Sequence, residues 1–211
     1  MGLRVWVLGA LVVTPCLLVP IIGRAQMPRL PVLQNGFVTS GWSVGLNAGG
    51  TSSDGVLAAA GAWSPTSGVM QVSAGVGADF GTGAGFAYGA RIGAPLTFLE
   101  RRGPIGAIAF IGIGGNSAVR DTSRLEVPVG IGVGYRHTLG ATRGISVYAA
   151  PFYLYQRTAS AVGSATNQGS FRASLGTDLT VSPRLGLTLG GDAGTRGPGR
   201  IAAGVSYLLI H

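Results

Sequence analysis

From residue 41 to residue 209 the chain repeatedly places apolar side chains at every second position, a period that extended strands satisfy and helices do not. In 69–80, Met70, Val72, Ala74, Val76, Ala78 and Phe80 share one parity, and Gln71, Ser73, Gly75, Gly77 and Asp79 share the other. Segments 85–98, 124–136, 171–181 and 185–193 alternate as regularly; 41–49, 55–63, 104–114, 144–155 and 200–209 do so more weakly. Turn-forming residues separate them, as in Ser64-Pro65-Thr66-Ser67-Gly68 and Ser182-Pro183-Arg184. Each segment therefore carries one apolar face and one face of small or polar residues.

Composition explains what such segments can build. The chain has 211 residues, 38 of them glycine, only 10% are charged, and it is too apolar for a disordered polymer. After Ala25 no run of about 18 uninterrupted apolar residues occurs, so the high mean hydropathy resides in the alternation and not in a membrane helix. Strands of about 10 residues with alternating hydrophobicity are the pattern of a transmembrane β-barrel, and closure leaves no backbone group unpaired in lipid. The expected fold is all-β, a closed antiparallel transmembrane β-barrel over 41–211. Ten strands is the expected number and eight the alternative, because Pro95, Pro128 and Pro151 fall inside strands and each implies a bulge or a displaced boundary.

Residues 1–25 read as a cleaved signal peptide: Arg4, an apolar stretch from Val5 to Ile22, then Gly23-Arg24-Ala25. The alternative is an uncleaved N-terminal anchor. Residues 26–40 read as a loosely ordered periplasmic connector. The single cysteine, Cys16, lies in the leader, which excludes a disulfide framework and a cysteine-based zinc site.

Aromatic placement supports the barrel and orients it. With both termini on the periplasmic side, the outward-parity residues Trp42, Trp63, Phe98, Tyr135 and Tyr207 fall near one rim. Phe80, Phe86, Tyr88, Tyr153, Tyr155 and Phe171 fall near the other. Two aromatic girdles are expected where rings meet lipid headgroups. On this pattern, and on the terminal Gly204-Val205-Ser206-Tyr207-Leu208-Leu209, the chain resembles the small bacterial outer-membrane β-barrel proteins. The resemblance implies localisation in the outer membrane, lipid as a partner, and recognition of the last strand by the barrel-assembly machinery. The chain departs from the group by ending in His211 instead of an aromatic residue.

Inward parity delivers Asp79, Arg91, Glu126, Arg136, Arg172, Asp178, Asp192 and Arg200 to the lumen, with Arg172 roughly opposite Asp192 across its hairpin. Paired charges are tolerable in a narrow lumen of low dielectric and unpaired ones are costly. The expected role is an integral, structural or surface-exposed barrel with a mostly plugged polar lumen. Alternatives are a narrow channel for ions or small polar solutes, an adhesin using residues 116–122 and 158–169, and a soluble Gly-rich periplasmic protein. Some small outer-membrane barrels are enzymes, the omptin proteases and lipid A modifiers among them, but these need His with a carboxylate or Ser near the outer rim. His137 and His211 lie at the opposite end, so no catalytic, metal or cofactor-binding residue is expected. All 15 basic residues are arginine, scattered without a clustered stripe, which disfavours nucleic acid as a partner.

Overall fold

The computed structural model describes residues 33–80, 85–96, 104–118, 122–140, 142–160 and 163–210. The signal-peptide reading of 1–25, Phe98 and His211 lie outside the described residues. Ten antiparallel strands form one closed barrel, in which each strand pairs with its chain neighbours and β1 pairs with β10. They are β1 (Gly41–Gly50), β2 (Gly55–Ser64), β3 (Gln71–Asp79), β4 (Gly85–Pro95) and β5 (Ile105–Ala118), followed by β6 (Thr122–Thr138), β7 (Gly144–Ser160), β8 (Thr166–Thr180), β9 (Leu185–Gly194) and β10 (Arg200–Ile210). The all-β, ten-strand expectation therefore holds.

One end of the barrel carries residue 41 and residue 210 and is called here the terminal end; the other is the far end. Burial alternates along the strands: in β7, Ser146, Tyr148 and Ala150 are buried while Val147 and Ala149 between them are exposed. The parity expected from sequence is the parity observed. Val44, Leu46, Ile92, Ile111, Ile131, Leu175 and Leu189 point out and are 44–66% exposed. Trp42 and Trp63 are cross-strand partners with ring centroids 6.2 Å apart at the terminal end. At the far end Tyr153 and Phe171 meet edge-on at 5.2 Å.

One of the three prolines behaves as expected and two do not. Pro95 closes β4, a displaced boundary. Pro128 and Pro151 interrupt single ladders, yet pairing resumes in unchanged register, from Ile111↔Val129 to Gly114↔Glu126 and from Gly130↔Phe152 to Val133↔Ala149. Each proline removes one donor, and the paired neighbours on both sides hold the register without a bulge. The strands also run further than alternation indicated. Thr158 pairs with Thr166, so most of the expected 158–169 loop belongs to β7 and β8. Both faces there are polar, so hydrophobic period could not mark the extension.

The connector is the main departure. Residues 33–40 are not a loose tether. Leu33, Gln34, Asn35, Phe37 and Thr39 are all buried, and they enter the barrel from the terminal end. Inward glycines make the space: a Cβ on Gly106 would sit 2.6 Å from the Phe37 ring, and one on Gly190 would sit 2.6 Å from Leu33 Cδ2. A Cβ on Gly134 would lie 3.1 Å from both the Gly36 nitrogen and the Phe37 ring. A lumen lined by glycine is thus occupied by backbone and side chains of the same chain.

Candidate functional site in the barrel lumen

The inward side chains of β7 give the order of the interior. From the terminal end they run Ser146, Tyr148, Ala150, Phe152, Leu154, Gln156: polar, then apolar, then polar. At the terminal end the Asn35 amide donates to Ser146 Oγ at 2.5 Å and to Asp178 Oδ2 at 2.7 Å. Thr188 Oγ1 donates to the other Asp178 oxygen at 2.9 Å. The Arg136 guanidinium lies 3.8 Å over the Phe37 ring, a cation–π contact that ties β6 to the inserted segment.

Two apolar clusters fill the middle. One is Phe110, Ala150, Phe152 and Leu154; the other gathers Leu33, Val56, Ala58, Ala87, Tyr148 and Ala202. Arg91 is buried beside them, with Nη1 donating to Gln34 Oε1 at 2.7 Å and its guanidinium 5.6 Å from the Phe110 ring centre. The inserted segment therefore hydrogen-bonds to the charged lumen residues Arg91 and Asp178 and meets Arg136 through the Phe37 ring.

A charge network occupies the far end, and Asp192 is its hub. Arg172 donates to Asp192 Oδ1 from Nε at 3.1 Å and from Nη2 at 2.5 Å. Register sets Arg172 opposite Gly194 and Ser174 opposite Asp192, so the pair is diagonal, close to the rough opposition read from sequence. Arg200 reaches the same carboxylate from Nε at 3.1 Å and from Nη2 at 2.8 Å. Its Nη1 extends to Glu126 Oε2 at 3.2 Å, and Glu126 also accepts from Gln156 at 2.9 Å. Because β6 and β10 lie four places apart around the ten-strand barrel, the Glu126–Arg200 pair crosses the lumen. Arg172 spends its other donors on the carbonyls of Arg196 at 2.7 Å and Pro198 at 2.8 Å, holding the β9–β10 turn down. Asp79 accepts from Asn116 at 3.0 Å.

So the structure places all eight charged residues on the inner side and joins Glu126, Arg172, Asp192 and Arg200 by ion pairs. Sequence reasoning missed the inserted Gln34, Asn35 and Phe37, and the inward Phe110, Phe152 and Leu154. Phe152 and Leu154 carried a usable signal, namely even parity in β7. It was masked because Pro151 to Tyr155 is bulky on both parities. Above the network a cavity of about 230 Å³ opens at the far end, between the β1–β2 turn, the β9–β10 turn and the inner faces of β6 to β8. His137 is exposed on the outer face at the terminal end, away from these groups. The sequence matches no family model and no curated protein.

Proposed function

We propose that the chain is a non-catalytic integral protein of a bacterial outer membrane, exported by a leader at residues 1–25, whose lumen is closed by its own N-terminal segment. The observation that carries this reading is the outer wall. Between the rims set by Trp42, Trp63, Tyr135 and Tyr207 and by Phe80, Phe86, Tyr88, Tyr153 and Phe171, the outward strand residues described include no Asp, Glu, Arg or Lys. A water-facing wall of this kind would be an apolar patch far larger than the few hundred Å² that soluble monomers expose. Turned toward hydrocarbon, the same wall is what a membrane strand requires. The charges are collected inside, where each has polar or aromatic partners. In this reading the terminal end faces the periplasm and the far end faces outward.

The test is insertion. The purified chain, refolded from denaturant in the presence of phospholipid vesicles, floats with them on a density gradient and migrates anomalously on unheated gels. Recovery as a stable monomer in detergent-free buffer overturns the reading. A single substitution sharpens it: Ile131→Arg, mid-wall on β6, costs about 2–4 kcal/mol in a bilayer. At a site facing water the same change stays within about 0.5 kcal/mol. Urea unfolding in vesicles, followed by tryptophan fluorescence, distinguishes the two. A second reading, a channel that opens when the inserted segment withdraws, is favoured by the glycines around that segment, which leave room for it in the lumen.

A further inference from the structure

The far-end cavity contains more positive charge than the network beneath it uses. Arg172 and Arg200 line its floor, but most of their donors are already committed to Asp192, Glu126 and two turn carbonyls. Arg124 on β6 and Arg196 in the β9–β10 turn line its wall, and no ion pair joins either of them to a carboxylate among the described residues. Together the four arginines face the carboxylates of Asp54 and Glu126, with Asp192 behind, which leaves the described residues of the mouth with one positive charge in excess.

From this arrangement we infer that the cavity is a binding site for a small oxyanion, a carboxylate or phosphate group, held between Arg124 and Arg196. The chemistry matches the residue type. A guanidinium offers paired donors in a planar fork that fits two oxygens of one anion, and it stays charged at every physiological pH. The floor supplies what a deeper ligand atom would meet: the Gln168 amide and Ser170 hydroxyl line the same cavity. A volume of about 230 Å³ accommodates inorganic phosphate or a dicarboxylate of a few carbons, and not a polymer. Because Arg172 and Arg200 are occupied and immobile, an anion at the mouth feels their field without having to break the network.

Calorimetric titration of the refolded full-length chain in detergent micelles tests the site, with sodium phosphate in one arm, succinate in another and chloride at matched ionic strength in a third. Saturable one-site binding of phosphate, of succinate or of both is expected over the chloride baseline, and the arm that binds identifies the anion class. Arg124→Gln and Arg196→Gln each weaken it about tenfold, the loss of one charge-assisted contact at a partly exposed site, and the double variant abolishes it. Both residues stand above the network, so unchanged gel mobility verifies folding of the variants. Arg124→Lys, which keeps charge but loses the fork, falls between. No saturable binding of either oxyanion by the unmodified chain overturns the inference, as does equal binding by the double variant. Neither outcome depends on membrane insertion, so this site and the membrane reading can fail separately.

Discussion

A chain lacking residues 33–38 conducts ions in discrete steps across a planar bilayer, where the full-length barrel stays silent at the same voltages. The expectation follows from what those residues occupy. Leu33, Gln34, Asn35 and Phe37 are 4–9% exposed and fill space that Gly106, Gly132, Gly134 and Gly190 leave open. The wall itself closes through β1 and β10, and pairing of β1 begins at Gly41, so the deletion spares every described strand. What it exposes includes polar groups of the inner surface: Ser146 and Asp178 lose the Asn35 amide, and Arg91 loses Gln34. Water replaces both readily, and a hydrated lumen passes ions. Gly134→Leu tests the same point without shortening the chain, because its side chain would claim the volume of Gly36 and the Phe37 ring. Silence of both variants, with refolding verified, shows that the far-end network closes the lumen alone.

Removing the hub of that network has the largest expected effect on stability. Asp192→Ala destabilises the barrel by about 3–5 kcal/mol, because two buried guanidinium groups remain without the carboxylate between them. Asp192 has no exposed side-chain surface and accepts from both Arg172 and Arg200, so water cannot take its place without a rearrangement of the far end. Asp192→Asn keeps the shape and one acceptor, and costs less, roughly 1–3 kcal/mol. Replacing Arg172, Asp192, Arg200 and Glu126 together by apolar residues of similar size recovers much of the loss, since a buried ion-pair group removed as a whole leaves no uncompensated charge and contributes little net stability over a packed core. Urea midpoints of the four proteins in one lipid give the ranking. An Asp192→Ala loss below 1 kcal/mol would mean that the arginines find other partners.

Much of this architecture is written in residue parity. Met70 to Phe80 and Phe86 to Ala94 could be assigned to strands, and to inside or outside, because each residue's surroundings are set by its nearest neighbours in chain and sheet. The charged lumen residues followed from the same rule. Arg172 and Asp192 were within reach because a tight β8–β9 turn leaves little freedom of register. Other features depended on information no local pattern holds. The 33–40 segment has no period of its own. Its position is decided by glycines on β5, β6 and β9, scattered from residue 106 to residue 190, that are complementary only once the sheet has closed. The cross-lumen pair Glu126–Arg200 joins strands four apart, a relation fixed by strand number and closure. The polar ends of β7 and β8 were hidden because a strand wet on both faces has no hydrophobic alternation.

Enclosure of residues 33–40 also dictates an order of events. Asn35 bonds to Asp178, 143 residues later, and β1 cannot meet β10 until the whole chain is present. A stretch synthesised early must therefore wait, unsheltered, while nine hairpins form, and is then wrapped as the first and last strands come together. Contacts this distant in sequence are slow to form, since chain entropy is lost long before any of it is offset. Assembly of this protein is accordingly governed by a late, concerted closing step, at which the middle of the molecule and its seam are completed at once.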